Sequence, residues 1–326
     1  MSNPKILVSI VSYKDPEFYA SVKSLWETAQ YKDSIIFSLV DEDDEPKDFS
    51  FIPEANLIYR HYPTTKYYGG LCWARNLATK VDVEYDYFMQ FDSHTRGRYG
   101  WDKRGYENYK YIETAFPETK VMISYAPPSY SHNEIGEEVF EGFEGDTNYG
   151  KCGLDYKEFA PGYEFPRYAN LRATEVIKSH WTTCMYIFVP KLWVDEVGVD
   201  EFGSFNTEEF NQSLRTFAHG WSVYAVGAKD VFHQWHLAPL RQETKGIRRP
   251  WGDNRKEAYW EHVKQATNHL GRILKGLEDV PLKKVEEFFE ATSIDKSWLS
   301  VEGEYFKGRG GATYLGVPQN PRRYSA

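Results

Sequence analysis

Cysteine is scarce in this chain. Only Cys72, Cys152 and Cys184 carry a thiol among 326 residues, an odd number, widely spaced and without a CxxC pair. That excludes a disulfide framework and a zinc knuckle and points to a reducing compartment. An excess of positive charge is also lacking. Lys and Arg total 39 against 48 Asp and Glu, a formal charge of -9, which argues against generic binding to nucleic acid or anionic membranes but leaves room for a local basic patch. No apolar run reaches membrane-spanning length, and the opening MSNPKILVSIVSY lacks a basic segment followed by a long apolar region and a cleavage site. No internal repeat is visible. These absences lead to the expectation of a soluble, cytoplasmic protein with one large domain, or one domain plus an extension.

Aromatics, by contrast, are plentiful: 17% of residues, with 10 Trp and 25 Tyr. Such rings build cores, and they also stack on sugars or nucleobases.

The apolar run KILVSIVS at 5–12 has the look of a strand buried on both faces in a parallel sheet. A polar turn over 13–17, with Pro16, leads to helical spacing at 18–29, where Val22, Leu25, Trp26 and Ala29 share a stripe. Strands are predicted at 34–40, before the acidic run Asp41-Glu42-Asp43-Asp44-Glu45, and at 57–62 and 86–91. A Gly-led turn at 69 enters a helix ending near 80. Alternating strands and helices predict a doubly wound α/β sheet with its site at the strands' C-terminal ends. Further strands are expected at 121–125, 185–189, 223–226 and 230–235, with helices at 210–217, 262–277 and 282–292. The stretch 129–168 shows no clear periodicity and reads as a long irregular excursion.

Five constellations carry chemistry. Asp92-Ser93-His94 closes an apolar strand. Side chains at i and i+2 of an extended segment share a face, so Asp92 and His94 converge on one target, and an oxygen plus a nitrogen donor suits Mn, Fe or Zn. Val231-Phe232-His233-Gln234-Trp235-His236 offers two imidazoles after another strand, and the strand's alternation favours His233 as a third ligand. Glu208 and Glu209 stand at a helix start, where acidic residues cap the helix or face an acceptor hydroxyl or sugar. Arg75 lies one turn into the helix after Gly69-Gly70, a setting for a diphosphate or for a solvated cation. Arg241, Lys245, Arg248, Arg249 and Arg255 surround Trp251, forming either a loop that closes over a nucleotide or an ordinary surface.

In order, VSIVSYKDPEF, GGLCWARN, YDYFMQFDSHTR with Gly100-Trp101-Asp102, TEEFNQSLRTFAHGWSVY and VFHQWH resemble the GT60 glycosyltransferases. Those are polypeptide N-acetylglucosaminyltransferases of the type that modifies hydroxyproline on Skp1. HLGRILKGL and VEEFFEATSID are similar to that family's closing helical segment, so the resemblance covers most of the chain. The DSH element also looks like the metal motif of the related mucin-type polypeptide GalNAc-transferases.

The resemblance implies a GT-A (Rossmann-like) catalytic domain over 1–257, with 129–168 as an irregular insert, and a C-terminal helical extension and tail over 258–326. It implies a UDP-sugar donor, UDP-GlcNAc first, a divalent metal (Mn2+, or Mg2+), and transfer to a hydroxyl-bearing acceptor, a protein first, with retention, or with inversion if Glu208 or Glu209 serves as general base. Asp92, His94 and His233 then hold the metal. Ser12 and Tyr13 match the uridine site, Arg75 and Ser93 join the nucleotide-sugar contacts, and Glu208 and Glu209 match the acidic pair on the acceptor side. The 129–168 stretch and the Arg-Trp loop depart from the family pattern, and those parts choose the acceptor. Three other readings remain at this level: a glycosyltransferase acting on hydroxylated nucleobases in DNA, a sugar- or nucleotide-binding protein with a dead site, and a non-haem iron oxygenase, whose triad also has two histidines and a carboxylate.

Overall fold

The structure is a computed structural model. It describes residues 3–64, 69–140, 149–160, 163–172, 176–204, 207–227, 230–234, 262, 265–266 and 269–292, with the backbone alone at 149–160, 163–172 and 177. The Arg241–Arg255 cluster and His236 lie outside the described residues.

Strand β1 (Ile6–Tyr13) is buried on both faces, and that fixes the layering. Ile6, Val8 and Ile10 enter one core with Phe18, Val22 and Leu25 of α1 (Phe18–Thr28), all fully buried. Each such large apolar side chain contributes roughly 1.5–3 kcal/mol relative to exposure to water. On the other face, Leu7 joins a second core. Val11 packs with Ala74 and Ala78 of α2 (Leu71–Thr79). Helices therefore cover both faces, as a parallel arrangement requires.

The remaining strands are β2 (Ile35–Glu42), β3 (Leu57–His61), β4 (Tyr87–Asp92), β5 (Thr95–Gly97), β6 (Lys120–Ser124), β7 (Tyr130–His132), β8 (Glu138–Phe140), β9 (Tyr149–Ala160), β10 (Tyr163–Arg172), β11 (Ile177–Ser179), β12 (Tyr186–Pro190), β13 (Trp221–Ala225) and β14 (Val231–His233). The central sheet has eight strands in the order β11-β13-β6-β12-β4-β1-β2-β3. Strands β4, β1, β2 and β3 run parallel, while β12 inserts antiparallel between β4 and β6. The fold is the expected helix-flanked α/β sheet, but mixed rather than wholly parallel. In register, Val11 faces Asp92 and Ser12 faces Asp41, so β1, β2 and β4 end at one edge.

Three features depart from the expectations. Helix α3 (Trp101–Ala115) is absent from the sequence reading. Its buried stripe of Trp101, Gly105, Tyr109 and Ile112 is diluted by charged neighbours, and it docks through contacts no pattern reveals. A Cβ at Gly105 would stand 2.9 Å from the Tyr186 hydroxyl, which explains the small residue. The stretch read as irregular instead holds two antiparallel pairs, β7 with β8 and β9 with β10. Pro166 and the register shifts in β9–β10 break the alternation that announces strands. Helix α4 (Lys191–Glu196), also unanticipated, buries only Trp193.

Helix α5 (Glu208–Ala218) carries a separate core. Phe210 and Leu214 pack with Trp181 and with Leu270, Ile273 and Leu274, and α6 (Leu282–Thr292) adds Val285, Phe288 and Phe289. His269 Nε2 also meets Asp200 Oδ2 at 2.8 Å, just ahead of α5. The C-terminal helical part is thus built onto the helix that starts with Glu208.

Candidate active site

The site forms where β4 ends. Phe88, Met89 and Phe91 are fully buried and carry Asp92 to the sheet's edge beside Val11. Ser93 and His94 then form a turn before β5 begins. Asp92 and His94 meet across that turn, not along one face of an extended segment as the spacing predicts. β14 lies antiparallel on β5 with His233 opposite Thr95, and the Gln234 amide donates to the His94 carbonyl at 3.1 Å. This ladder delivers His233 to the turn.

One carboxylate oxygen and two imidazole nitrogens come within 4.8 Å of one another at Asp92, His94 and His233. His233 Nε2 stands 3.0 Å from Asp92 Oδ2 and His94 Nε2 stands 4.0 Å from the same oxygen. The imidazole centroids are 4.6 Å apart. His233 is buried, whereas Asp92 and His94 keep partial exposure, so the cluster has a closed side and an open one. By donor chemistry, these residues fit a divalent ion that accepts mixed nitrogen and oxygen ligands.

Arg75 lies behind the cluster, 3% exposed. Its Nη1 donates to Glu208 Oε1 at 2.5 Å and its Nη2 to Asp92 Oδ1. α2 and α5, 133 residues apart along the chain at this contact, are thereby joined through one guanidinium. Burial works against the Arg75 charge, but Glu208 and Asp92 hold it firmly cationic. Burial alone would raise the Asp92 carboxyl. The His233 hydrogen bond and the Arg75 charge prevail and hold it well below the usual carboxylate range. Burial pushes Glu208 up to about 7 against the pull of Arg75, and it depresses the His233 imidazole. The two glutamates have different settings. Successive helical residues diverge by about 100°; Glu208 is buried on Arg75, and Glu209 is partly exposed.

Ser12 and Tyr13 end β1 beside Asp41 and Glu42 of β2. Ser12 is buried and its Oγ accepts the Asp15 amide at 3.4 Å. Glu42 accepts the Gly69 amide at 2.8 Å, securing the turn in which Gly70 adopts φ +83° before α2. Lys47 pairs with Asp43 and Lys14 with Asp44, so cations line the acidic run. Ser93 Oγ donates to Asp15 Oδ2 at 2.7 Å, and His94 Nδ1 meets that oxygen at 2.7 Å. In the sequence Asp15 is one member of a polar turn. An aspartate ahead of Pro16, directly after a buried strand, was the available signal.

Comparison with known proteins bears on this geometry. A family model described as Glycosyltransferase (GlcNAc) matches residues 46–296. No curated protein matches in sequence. Among solved structures, that of GalNAc-T7 with UDP, GalNAc and Mn2+ is similar in fold, with TM-score 0.50 and 13% identity, over 89% of this chain and 55% of that one. The chain thus spans about half the length of that neighbour. The oxygenase reading falls here. It needs an all-β barrel, and the two-histidine, one-carboxylate cluster sits instead at the edge of a helix-flanked sheet.

Proposed function

The chain belongs to the GlcNAc glycosyltransferase family, and on that premise we propose that it moves a sugar from a UDP-sugar to a hydroxyl acceptor at the Asp92–His94–His233 site. The observation that carries this reading is the convergence of those three donors on the sheet edge, with the Arg75 cation directly behind them. Manganese suits the nitrogen-rich donor set better than magnesium, and the structural neighbour was solved with UDP and Mn2+. GlcNAc is the sugar proposed first, after the family's description. The GT60 likeness extends the proposal to a protein hydroxyl, of the hydroxyproline type, as acceptor. The helical part beyond about residue 257 is proposed as an extension of the catalytic domain, and the cytoplasm as its location.

Asp92, His94 and His233 would hold a divalent ion, which would supply Lewis-acid charge at the leaving diphosphate. The protein's own groups do the rest. Arg75 keeps Asp92 oriented and adds buried positive charge behind it. Ser12, Tyr13 and the Ser93 turn border the place assigned to the nucleotide. Glu208 is committed to Arg75, which suits fixing the sugar or acceptor better than removing a proton. With retention, the acceptor hydroxyl attacks from the leaving-group side and a phosphate oxygen takes its proton.

The test is a UDP-sugar panel with Mn2+, read by released UDP. Turnover of one UDP-sugar, lost in Asp92→Ala and in His94→Ala, is the expected result. Equal turnover in both variants would sink the site assignment.

A further inference from the structure

Asp15 divides its carboxylate between two tasks. Oδ1 accepts the Glu17 amide at 2.9 Å and so fixes the entry to α1. Oδ2 receives Ser93 Oγ and His94 Nδ1, each at 2.7 Å, across the gap between the β1–α1 turn and the β4–β5 turn. Asp15 is 8% exposed, and its turn is held firmly: the Ser12 hydroxyl accepts its amide, and the preceding residue, Lys14, is pinned at φ 49° with its amide on the Glu42 carbonyl.

We propose that Asp15 is a positioning residue that makes His94 a metal ligand. The inference rests on the metal reading of the Asp92–His94–His233 site. An ionised carboxylate only accepts hydrogen bonds, so the Nδ1 it meets carries the proton and Nε2 keeps its lone pair. Nε2 is the nitrogen that faces Asp92 Oδ2 at 4.0 Å. Asp15 therefore sets both the tautomer and the ring orientation, the service that outer carboxylates render to ligating imidazoles. Ser93 Oγ braces the same oxygen, so Ser93 acts through Asp15 in this arrangement. His233 is delivered differently, by the β5–β14 backbone ladder, so the two imidazoles depend on separate supports.

Asp15→Asn tests this with little change of shape. An amide that keeps its oxygen on the Glu17 amide turns its NH2 toward His94 Nδ1, which favours the opposite tautomer. Mn2+ is titrated in the presence of UDP, followed by the loss of the free-Mn2+ paramagnetic signal, and the His94 tautomer is read by 15N NMR in the metal-free protein. The expected result is an Mn2+ Kd raised about 10- to 100-fold, together with loss of the Nδ1–H tautomer and a cooperative melt. A Kd within about twofold of the parent overturns the proposal, and so does a weakened Kd with the tautomer unchanged. Asp92→Ala serves as the reference. If Asp92→Ala abolishes Mn2+ binding and Asp15→Asn does not weaken it, the positioning role alone fails. If Asp92→Ala binds Mn2+ like the parent, the metal reading itself fails.

Discussion

Arg75 occupies one oxygen of Asp92 and leaves the other free for the histidines. Nη2 donates to Oδ1, while Oδ2 faces His94 and His233. A carboxylate held this way offers a single oxygen to a ligand. The same guanidinium binds Glu208, so one buried cation balances two carboxylates drawn from different parts of the chain.

Removing that cation leaves both carboxylates without their partner. Arg75→Ala is expected to cost about 3–5 kcal/mol, the usual penalty for breaking a buried pair on one side. Urea unfolding measures it. Arg75→Lys is expected to recover only part of the loss, because a point charge cannot serve two carboxylates as a planar fork does.

Glu208 gives the stability a pH dependence of defined sign. Its carboxyl lies at about 7 in the folded state against an ordinary 4.5. A raised carboxyl pKa means that the folded state binds the proton more tightly. The contribution is complete below 4.5 and is lost as pH rises through about 7. Glu208→Gln is therefore expected to flatten the fall in unfolding free energy across that window. Asp41, raised to about 6 mainly by burial, contributes a slope of the same sign, so Glu208→Gln lessens the fall without abolishing it.

Metal removal should silence UDP release, and the order of recovery reports the donor set. With two imidazoles among three donors, Mn2+ is expected to restore turnover better than Mg2+, and Ca2+ least. Equal recovery with all three ions would contradict an imidazole-containing site.

Gly70 is expected to resist substitution. At φ +83° a side chain is strained, and a Cβ there would stand 3.0 Å from His262 Nε2. Gly70→Ala should cost about 1–3 kcal/mol, visible as a lower melting temperature.

Phe288 tests how closely the C-terminal helices belong to the catalytic part. It is fully buried against Trp181, Phe210 and Phe217. Phe288→Ala is expected to cost about 3–5 kcal/mol and, because Phe210 shares α5 with Glu208, to lower turnover as well. Full activity with an unchanged melting curve would contradict that coupling.

Much of the architecture is legible in the sequence because burial on both faces leaves a plain mark. β1, β2 and β4 are continuous apolar runs, and α1 and α6 show regular stripes. Asp92 and His94 were legible for the same reason, since polar residues ending an apolar strand stand out. Other parts depend on contacts between distant positions. α3 presents Trp101, Gly105, Tyr109 and Ile112 among charges, and its docking depends on Asp102 accepting the Gln30 and Tyr31 amides. Asp15 resembles any turn aspartate until His94 lies beside it. Arg75 reads as a diphosphate contact or a solvated cation, and its partners lie 17 and 133 residues away, too far along the chain for the sequence to show them.

The short β5–β14 ladder has a consequence for how the protein comes into being. His233 reaches Asp92 from 141 residues away, and its register is set by three pairings with β5 and by its amide's bond to the Pro128 carbonyl. A slip of one residue would turn the imidazole to the opposite face. A growing chain thus completes its sheet edge early but gains its third donor late, after β14 has emerged and paired in frame. A molecule that holds all three donors together has thereby paired β14 in frame.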